Sequence, residues 1–376
     1  MNTYPAPKPK TRAEIRRLRK NLLDHYDERG RSLPWRIRPE DRARGVVADP
    51  YAVWLSEIMC QQTTVVHATP YWEKFLERFP TVTDLANANR DLVLTMWAGL
   101  GYYARARNLH KCAALVRDDY GGVFPQTEAG LLKLPGIGPY SAATIAAICF
   151  EAPTNIVDGN VERVISRLFA LDKPLPKARK DLRALAGSLC APELKPERPG
   201  DYGQALMDLG ANLCTPRAPQ CPVCPWQWAC AAYKADQVTD YPKKLKKPKL
   251  PIRRGYIYVM RTTSHIWLER RADKGLLGGM MGFPGSPWVE EDVPEPSATD
   301  LKNAPLKRNW EPCGSEVRHI FTHFDLRLKV FQTLLPARIE IEKASGEWAA
   351  LGDIESYALP TVMKKVLKTA LTDINP

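Results

Sequence analysis

Two carboxylic acids in the sequence have neighbours that would set their protonation states apart, and the first is Glu57. It is the only acid in a predicted helix that starts at Asp49-Pro50, an N-cap aspartate followed by a proline. Helical spacing places Glu57 on the same face as Val53 and Trp54. Burial on such a face disfavours the ionised form, so Glu57 can keep its proton near neutral pH and act as a general acid. The alternative is a glutamate at the edge of that face, in contact with water.

The second acid, Asp158, has a setting that suits an anion. It follows the apolar pair Ile156-Val157 and precedes Gly159 and a segment with apolar residues at helical spacing. Aspartate is a favoured N-cap residue, and the positive end of the helix dipole stabilises its ionised form. A structural helix cap is one interpretation of Asp158, and a catalytic carboxylate is the other.

A short turn at residues 135–139, with the sequence Pro-Gly-Ile-Gly-Pro, precedes Asp158 by about twenty residues and leads into an alanine-rich helix. Gly136 and Gly138 lack a Cβ, so their backbone can approach a ligand closely. A tight turn that enters a helix N-terminus favours an anion such as phosphate. An ordinary connection between two helices is the alternative interpretation of this turn.

Four of the nine cysteines lie close together in the sequence, as expected of a metal site rather than of disulfides. Their spacing is Cys-x6-Cys-x2-Cys-x5-Cys, and the residues are Cys214, Cys221, Cys224 and Cys230. Four cysteines in so short a segment favour a [4Fe–4S] cluster. Structural zinc is the rival, although four-cysteine zinc sites more often contain two Cys-x2-Cys pairs. The loop after the first cysteine carries Arg217, which is placed to contact phosphate.

The elements that position these residues form two predicted domains of different type. No segment before residue 235 alternates like a strand for long, so the first domain is predicted to be all-α. The helix that carries Glu57 is predicted to continue to Val66. Strand-like segments and a final helix follow, which predicts an α+β second domain. The charged loop around residues 37–48 is expected to be exposed and mobile. The predicted organisation is a disordered tail at 1–12, a helical domain at 13–240 with the cysteine segment at 214–230, a basic linker at 241–254 and the second domain at 255–376.

The overall charge points to a polyanionic partner. Lys plus Arg exceed Asp plus Glu by 54 to 42, which gives a formal net charge of +12. No apolar run approaches the ~20 residues needed to span a bilayer, and the N-terminus lacks a hydrophobic signal core, so a cytoplasmic protein without a membrane partner is expected. Tyr102, in a glycine-aromatic turn near Arg105 and Arg107, is either a residue that stacks between bases or a core aromatic.

Taken together, the turn sequence LPGIG and the downstream VDGNV resemble the helix-hairpin-helix base-excision glycosylases. Nearly the whole chain, from LPWR near the start to FTHF in the second domain, is similar to the MutY family of adenine-specific mismatch glycosylases. The second domain resembles the nudix fold through its strand order and the turn GMMGFPG. The acidic box of nudix hydrolases, of the type R-E-x-x-E-E, is absent from the sequence, so hydrolysis of nucleoside diphosphate derivatives is not expected.

The resemblance implies a monomeric, monofunctional DNA glycosylase that flips adenine out of duplex DNA and excises it opposite 8-oxoguanine or guanine. Glu57 would protonate the adenine at N7 and later activate water, and Asp158 would either stabilise the oxocarbenium ion or capture it transiently as a covalent adduct, as in two-carboxylate glycosidic chemistry. Tyr140 and Asn160 match family positions that orient these acids. The remaining matches are Leu33, Trp35, Arg36, Gln204 and Asp208 for the adenine pocket, Gln62 and Tyr102 for insertion into the duplex, Gly136 and Gly138 for a phosphate, Phe321, Thr322 and His323 for 8-oxoguanine, and the four cysteines for the [4Fe–4S] cluster.

Two other functions remain open from the sequence. Endonuclease III-like glycosylases with AP-lyase activity on oxidised pyrimidines share the turn, the aspartate and the cysteine spacing. In those bifunctional relatives a Schiff-base lysine occupies the position of Tyr140, which favours simple base removal here. A non-catalytic DNA-binding iron–sulfur protein would account for the charge, the turn and the cysteines, but not for both acids. Thr322 replaces a family serine, which keeps the hydroxyl and adds a methyl group.

Overall fold

The computed structural model describes residues 4, 7–190, 197–245, 248–290, 304–341 and 345–372. The chain forms two compact units. The helical unit contains Met1–Ala86 and Lys111–Lys247, and the sheet unit contains Asn87–His110 and Pro248–Pro376. Of the predicted tail at 1–12, residues 1–3 and 5–6 lie outside the described residues, as do residues 246–247 of the predicted linker. The predicted domain boundaries stay predictions.

Helices dominate the chain up to residue 240. In chain order they are α1 Arg12–Arg29, α2 Pro39–Ala43, α3 Pro50–Cys60, α4 Val65–Arg78, α5 Val82–Asn87, α6 Arg90–Met96, α7 Ala104–Tyr120, α8 Glu128–Leu131, α9 Pro139–Phe150, α10 Gly159–Phe169, α11 Arg179–Leu189, α12 Pro199–Asp208 and α13 Ala231–Lys234, with a π-helical turn at Leu209–Leu213. The all-α prediction for this part of the chain is confirmed. Across the described ranges, none of the helices is both long and apolar enough to cross a membrane.

The local sequence explains how the first helix begins, ends and packs. Thr11 and Glu14 form a reciprocal capping box at the N-terminus of α1, and Gly30 follows its last residue. Its apolar residues recur at helical spacing and are buried on one face: Ile15, Leu18, Leu22 and Tyr26. This face packs with α10, α11 and α12 in the main core of the helical unit. The site residues on α10 and α12 are therefore held by a well-packed core.

Two predictions about local structure are wrong. The helix that begins after Asp49 does not run on to Val66 but ends at Cys60, because Gln62 adopts a left-handed backbone with φ +57° and Thr64 caps a new helix. The segment around residues 37–48 was predicted to be an exposed, mobile loop, but it contains the short helix α2; its exposure is confirmed at residues 43–47. Arg42 on this helix forms ion pairs with Glu151 and with Asp201 at 3.5 Å, which ties the segment to the helical unit.

The sheet unit contains a mixed β-sheet and a packed helix. Its elements are β1 Ile252–Arg261, β2 His265–Arg270, β3 Met281–Gly282, β4 Glu311–Ile320, β5 Asp325–Leu334, β6 Gly346–Ala350 and α14 Thr361–Thr372. The strand order is β3-β2-β1-β5-β4. The short strand β6 also pairs with β2. Strands β1 and β5 run parallel, with Ile252 opposite Asp325, and the other pairs are antiparallel. The prediction of an α+β, nudix-like second domain is confirmed.

The two faces of this sheet bury different side chains. One face packs against α14 and buries mainly aliphatic residues, among them Val259, Leu328 and Met363. The other face buries an aromatic cluster that includes Tyr258 and Trp310, whose ring centroids lie 5.2 Å apart. Within the same unit, α6 is joined to the loop after β2 by the ion pairs Arg90–Asp273 and Asp91–Arg270, at 2.6 and 2.8 Å. The turn that carries Tyr102 is thereby attached to the sheet.

Candidate active site

Glu57 lies on α3 in surroundings that favour its protonated form. Although the residue keeps some accessible surface, burial of its carboxyl group raises the pKa from 4.5 to about 7. A hydrogen bond with Tyr140 and the charge of Arg36 lower this pKa, whereas the charge of Asp158 raises it. Burial outweighs the lowering contributions, so a substantial fraction of Glu57 carries a proton near neutral pH.

Asp158 is the N-cap of α10, and both of its carboxylate oxygens accept hydrogen bonds. Oδ1 accepts from the backbone N–H of Val161 at 2.7 Å, and Oδ2 accepts from the Asn160 amide at 3.0 Å. These donors and the helix N-terminus stabilise a negative charge. The sequence left open whether Asp158 is a cap or a catalytic carboxylate, and the structure shows that the cap geometry also brings it within electrostatic reach of Glu57.

Tyr140 connects the turn at 135–139 to both acids. It lies in the first turn of α9, after the N-cap Gly138 and Pro139. Its hydroxyl donates to Met207 Sδ at 3.1 Å and also hydrogen-bonds Glu57. Burial, and then the charges of the two acids, raise the pKa of Tyr140 well above its ordinary value. Tyr140 therefore acts as a neutral hydrogen-bonding group that fixes the Glu57 carboxyl.

A second network runs from Asn160 along α10 to the cysteine segment. Asn160 Oδ1 accepts from Arg163 at 3.0 Å, and Arg163 also donates to the backbone carbonyls of Cys214 at 2.7 Å and Gly210 at 2.6 Å. A side chain at Gly210 is excluded, because its Cβ would lie 2.8 Å from the Cβ of Asn160. The sequence analysis missed Arg163. Its spacing of three residues from Asn160 on the same helix was the available signal.

Asp208, at the end of α12, is bound by two arginines from the segment after α1. Arg36 donates to both carboxylate oxygens at 2.8 and 2.9 Å, and Arg31 donates from its guanidinium at 2.6 Å and from its backbone at 2.9 Å. Burial alone would raise the pKa of Asp208, but the hydrogen bonds and charges of the two arginines lower it below the ordinary value. The sequence analysis also missed Arg31, whose partner lies far away in the sequence.

The other predicted pocket residues occupy the same two segments. Gln204, one turn before Asp208, is 1% exposed, and within the described part of the chain neither its amide nitrogen nor its amide oxygen has a hydrogen-bond partner. Trp35 packs edge-on against Trp72, with ring centroids 5.5 Å apart. The backbone carbonyl of Leu33 accepts a hydrogen bond from Arg36. A buried primary amide without partners is costly unless a ligand satisfies it.

The four cysteines follow the π-helical turn in a compact segment. Arg167 on α10 donates to Cys214 Sγ at 3.2 Å, and the Arg167 carbonyl accepts from the Cys230 thiol at 3.3 Å. Burial, and then neighbouring thiols, raise the pKa of Cys221. Cys224 packs against the core of the unit. In the described part of the chain, no group of three or more His, Cys, Asp or Glu side chains is arranged to hold a metal ion. The four mutually interacting thiols nevertheless match the chemistry of an iron–sulfur ligand set.

Four residues predicted to touch DNA lie at turns or exposed positions of the helical unit. Gln62 is exposed and has a left-handed backbone. Gly136 has φ +79°, a conformation that glycine adopts without strain, and the space beside Gly138 is open. Arg217 is exposed in the loop between the first two cysteines. These positions leave the backbone and side chains accessible to a polyanion.

The sheet unit brings together Tyr102 and the turn between β4 and β5. Tyr102 has φ +48° and is 46% exposed, and its hydroxyl lies 2.6 Å from Thr322 Oγ1. Within this turn, the Phe321 ring packs against the rings of His319 and Phe324, with centroids 4.6 and 4.9 Å away. His323 is exposed beside Thr322. Tyr102 and Thr322, which are distant in the sequence, therefore form one polar contact on the surface of this unit.

Comparisons with known proteins agree with this arrangement. Residues 55–192 match the model of the HhH-GPD superfamily of base excision DNA repair proteins, and residues 255–369 match the NUDIX domain. The adenine DNA glycosylase of Homo sapiens is 32% identical over 416 residues, which cover 95% of this chain and 74% of the human protein. The chain belongs to the adenine DNA glycosylase family.

Other relatives extend the same comparison. The adenine DNA glycosylase of Buchnera aphidicola subsp. Acyrthosiphon pisum (strain APS) is 31% identical over 354 residues, which cover 92% of this chain and 95% of the relative. A solved structure of a thermostable thymine-DNA glycosylase superposes with a TM-score of 0.51 at 27% identity, and covers 59% of this chain and 98% of that structure. The adenine DNA glycosylase family thus accounts for both the helical part and the nudix-like part of the chain.

Proposed function

We propose that the chain is a monofunctional DNA glycosylase that excises adenine paired with 8-oxoguanine or guanine in duplex DNA. The observation that carries this proposal is the pairing of Glu57 with Asp158: burial raises the pKa of Glu57 to about 7, and Asp158 caps α10 and accepts hydrogen bonds at both carboxylate oxygens. Both positions match the family motifs, and relatives named adenine DNA glycosylase align over nearly the whole chain.

The proposed reaction uses the two acids in sequence. Glu57 donates its proton to N7 of the flipped adenine, and the electrons of the N-glycosidic bond leave with the base. The positive charge that develops on the sugar is stabilised by the carboxylate of Asp158. Water then adds to the sugar carbon, and the Glu57 carboxylate takes the proton that the water loses. Tyr140 and Asn160 hold the two carboxyl groups in place through their hydrogen bonds.

The adenine pocket is proposed to lie between α12 and the segment that carries Leu33, Trp35 and Arg36. The unpartnered amide of Gln204 offers one donor and one acceptor, which match N1 and the N6 amino group on the Watson–Crick edge of a flipped adenine and leave N7 to Glu57. Asp208 is saturated by its two arginines, so its proposed role is to fix the pocket wall. A base without adenine's neighbouring donor and acceptor would leave the Gln204 amide unsatisfied.

Binding of duplex DNA is proposed to use both units. In the helical unit, Gly136 and Gly138 hold a phosphate at the N-terminus of α9, Arg217 contacts another phosphate, and Gln62 fills the space that the flipped base leaves. In the sheet unit, Tyr102 inserts into the base stack, and Phe321, Thr322 and His323 face 8-oxoguanine. The hydrogen bond between Tyr102 and Thr322 supports a joint role in recognising the lesion.

A [4Fe–4S] cluster is the proposed occupant of the cysteine segment. Cys214, Cys221, Cys224 and Cys230 would hold it, and the cluster would supply a rigid support for the loop that carries Arg217. Arg163 and Arg167 bind this loop to α10, so its order and the position of Asn160 are connected. Iron and sulfide analysis of the purified protein tests the assignment, and a zinc content of one per chain without sulfide would contradict it.

An endonuclease III-like lyase is the second candidate, and Tyr140 weighs against it. A lyase of this class forms a Schiff base through a lysine at that position, and a phenol hydroxyl bound to Glu57 and Met207 cannot form one. Borohydride treatment with a substrate duplex decides between the two: the glycosylase gives no covalent adduct, and the lyase does. A cytoplasmic, monomeric protein remains the expectation for the cellular setting.

The proposed function is tested by single-turnover excision from duplexes containing A:8-oxoG, A:G or an oxidised thymine. We expect alkali-sensitive sites at the adenine of the first two duplexes and none in the third. Asp158→Asn should abolish excision, and Asp118→Asn, at an exposed aspartate paired with Arg117, serves as the control. Full activity of Asp158→Asn, or cleavage of the oxidised thymine alone, would refute the proposal.

A further inference from the structure

A polar cavity of about 240 Å³ lies in the sheet unit. Its lining includes three cationic residues, Arg270, Arg271 and Lys274, and the apolar residues Phe283 and Pro284. Glu269 adds a single carboxylate to the lining. The cavity therefore has an excess of positive charge beside a surface suited to an organic group.

The partners of these side chains show where that excess charge is located. Arg270 is neutralised by Asp91 through two hydrogen bonds of 2.9 and 2.8 Å. Glu269 accepts from the Trp267 indole at 3.1 Å. Among the residues that the structure describes, Arg271 and Lys274 have no carboxylate at ion-pair distance. Two uncompensated cations thus face the cavity.

Arg271 is held in place even without an anion. Its guanidinium lies over the Trp288 ring, 5.1 Å from the centroid. Trp288 is itself fixed from two sides: its ring stacks on Phe321 at 6.2 Å, and it lies against Gly255, where a Cβ would come within 2.8 Å of the indole. Burial lowers the pKa of Arg271, which shows that this cation is incompletely solvated. An anion bound here would compensate for the hydration that the guanidinium has lost, and Arg271 would not have to change its conformation.

We infer that this cavity binds a phosphate group, with Arg271 and Lys274 as its ligands and the side chains of Phe283 and Pro284 in contact with the attached organic part. A planar guanidinium with free N–H donors is the side chain best suited to two phosphate oxygens. The phosphate could come from the DNA backbone or from a free nucleotide. The first source rests on the proposed DNA glycosylase function, and the second does not.

The test uses the full-length protein and compares wild type with Arg271→Gln, Lys274→Gln and Arg308→Gln. Glutamine at 271 retains an unbranched stem beside Trp288 but removes the charge. Lys274 is exposed, so its variant keeps the inference testable if Arg271→Gln fails to fold. Arg308 is an exposed arginine outside the cavity and controls for the loss of one positive charge.

Two measurements distinguish the sources of the phosphate. For a DNA phosphate, the slope of log K against log[salt] for an undamaged duplex falls by about 0.9 in each cavity variant and affinity drops several-fold, beyond the effect of Arg308→Gln. For a free phosphate, pyrophosphate or dATP raises the melting temperature of wild type and of Arg308→Gln but not of the cavity variants. Base excision is not the readout, so failure of the proposed function leaves both results interpretable. If neither the salt slope nor the melting shift separates the cavity variants from Arg308→Gln, the inference is wrong.

Discussion

Glu57 and Asp208 are two buried acids of the helical unit whose pKa values shift in opposite directions. Burial raises the pKa of Glu57 to about 7. Burial acts on Asp208 too, yet the hydrogen bonds and charges of Arg36 and Arg31 reverse its effect and lower the pKa. The difference arises from direct contact with a guanidinium: the side chains of Arg36 and Asp208 are only 5% and 9% exposed and form a bidentate pair.

Arg36 connects the two acids, because its charge also acts on Glu57. An arginine without a counter-ion would favour ionisation of Glu57 and remove the proton that the proposed mechanism needs. Both hydrogen bonds of its bidentate pair go instead to Asp208. The comparison shows that a positive group can line the proposed adenine pocket while burial still keeps the pKa of the neighbouring acid raised.

The largest effect is expected when Asp208 loses its charge. Asp208→Asn leaves Arg36 and Arg31 without their buried counter-ion, which should reduce the free energy of unfolding by about 3–5 kcal/mol. Urea denaturation at neutral pH measures the loss. Asp118→Asn, at the surface pair with Arg117, should change stability little. Equal stabilities of the two variants would show that the buried pair does not hold the site together.

As pH rises, Glu57→Gln is expected to change the free energy of unfolding in the opposite direction from Asp208→Asn, because it stabilises the protein relative to wild type. The folded-state pKa of about 7 lies above the ordinary value of 4.5, so the folded protein binds this proton more tightly and loses stability as pH rises between these values. The free energy of unfolding of Glu57→Gln relative to wild type should therefore increase by about 2–3 kcal/mol between pH 5 and pH 8. Denaturation at both pH values checks this, with the exposed Glu77→Gln as control. A relative stability that does not change with pH would contradict the raised pKa.

The smallest effect is expected from a change that reaches Asp158 only indirectly. Asp158 accepts hydrogen bonds from neutral donors, one of which, Asn160, is held by Arg163. Arg163→Gln should release Asn160 and slow single-turnover excision about tenfold, as is typical when a side chain that orients a reacting group is lost. Binding of the duplex should change much less, because Arg163 is proposed to position Asn160 and not to contact DNA. Arg179→Gln, which removes an exposed arginine that pairs with Glu162 on the helix that carries Arg163, provides the matched control. Equal rates for the two variants would exclude a positioning role for Arg163.

Local signals predicted much of the fold. The Asp49-Pro50 start of α3 and the Asp158 cap of α10 both depend on residues within a few positions of one another, and the structure contains both of them. The end of α3 was missed because Gln62 adopts a left-handed backbone without being glycine. Strand β6 was also missed, since its short segment is ordered by pairing with β2.

The site was harder to predict wherever its contacts join distant segments. The family motifs named Glu57, Asp158 and Asp208, but the two arginines that bind Asp208 lie more than a hundred and fifty residues away in the sequence. The contact of Tyr102 with Thr322 likewise joins α6–α7 to the β4–β5 turn. Periodicity cannot predict such pairs, because only the packed fold brings them together.

The pH dependence of single-turnover adenine excision tests the central claim most directly, because it reports whether Glu57 acts in its protonated form. Measured at saturating enzyme on an A:8-oxoG duplex, the rate should be constant below about pH 6 and fall tenfold per pH unit above a midpoint near 7. Glu57→Gln should be far slower and lack this decline. A wild-type rate that stays constant to pH 9, or that already falls near pH 4.5, would show that Glu57 is not the protonated acid.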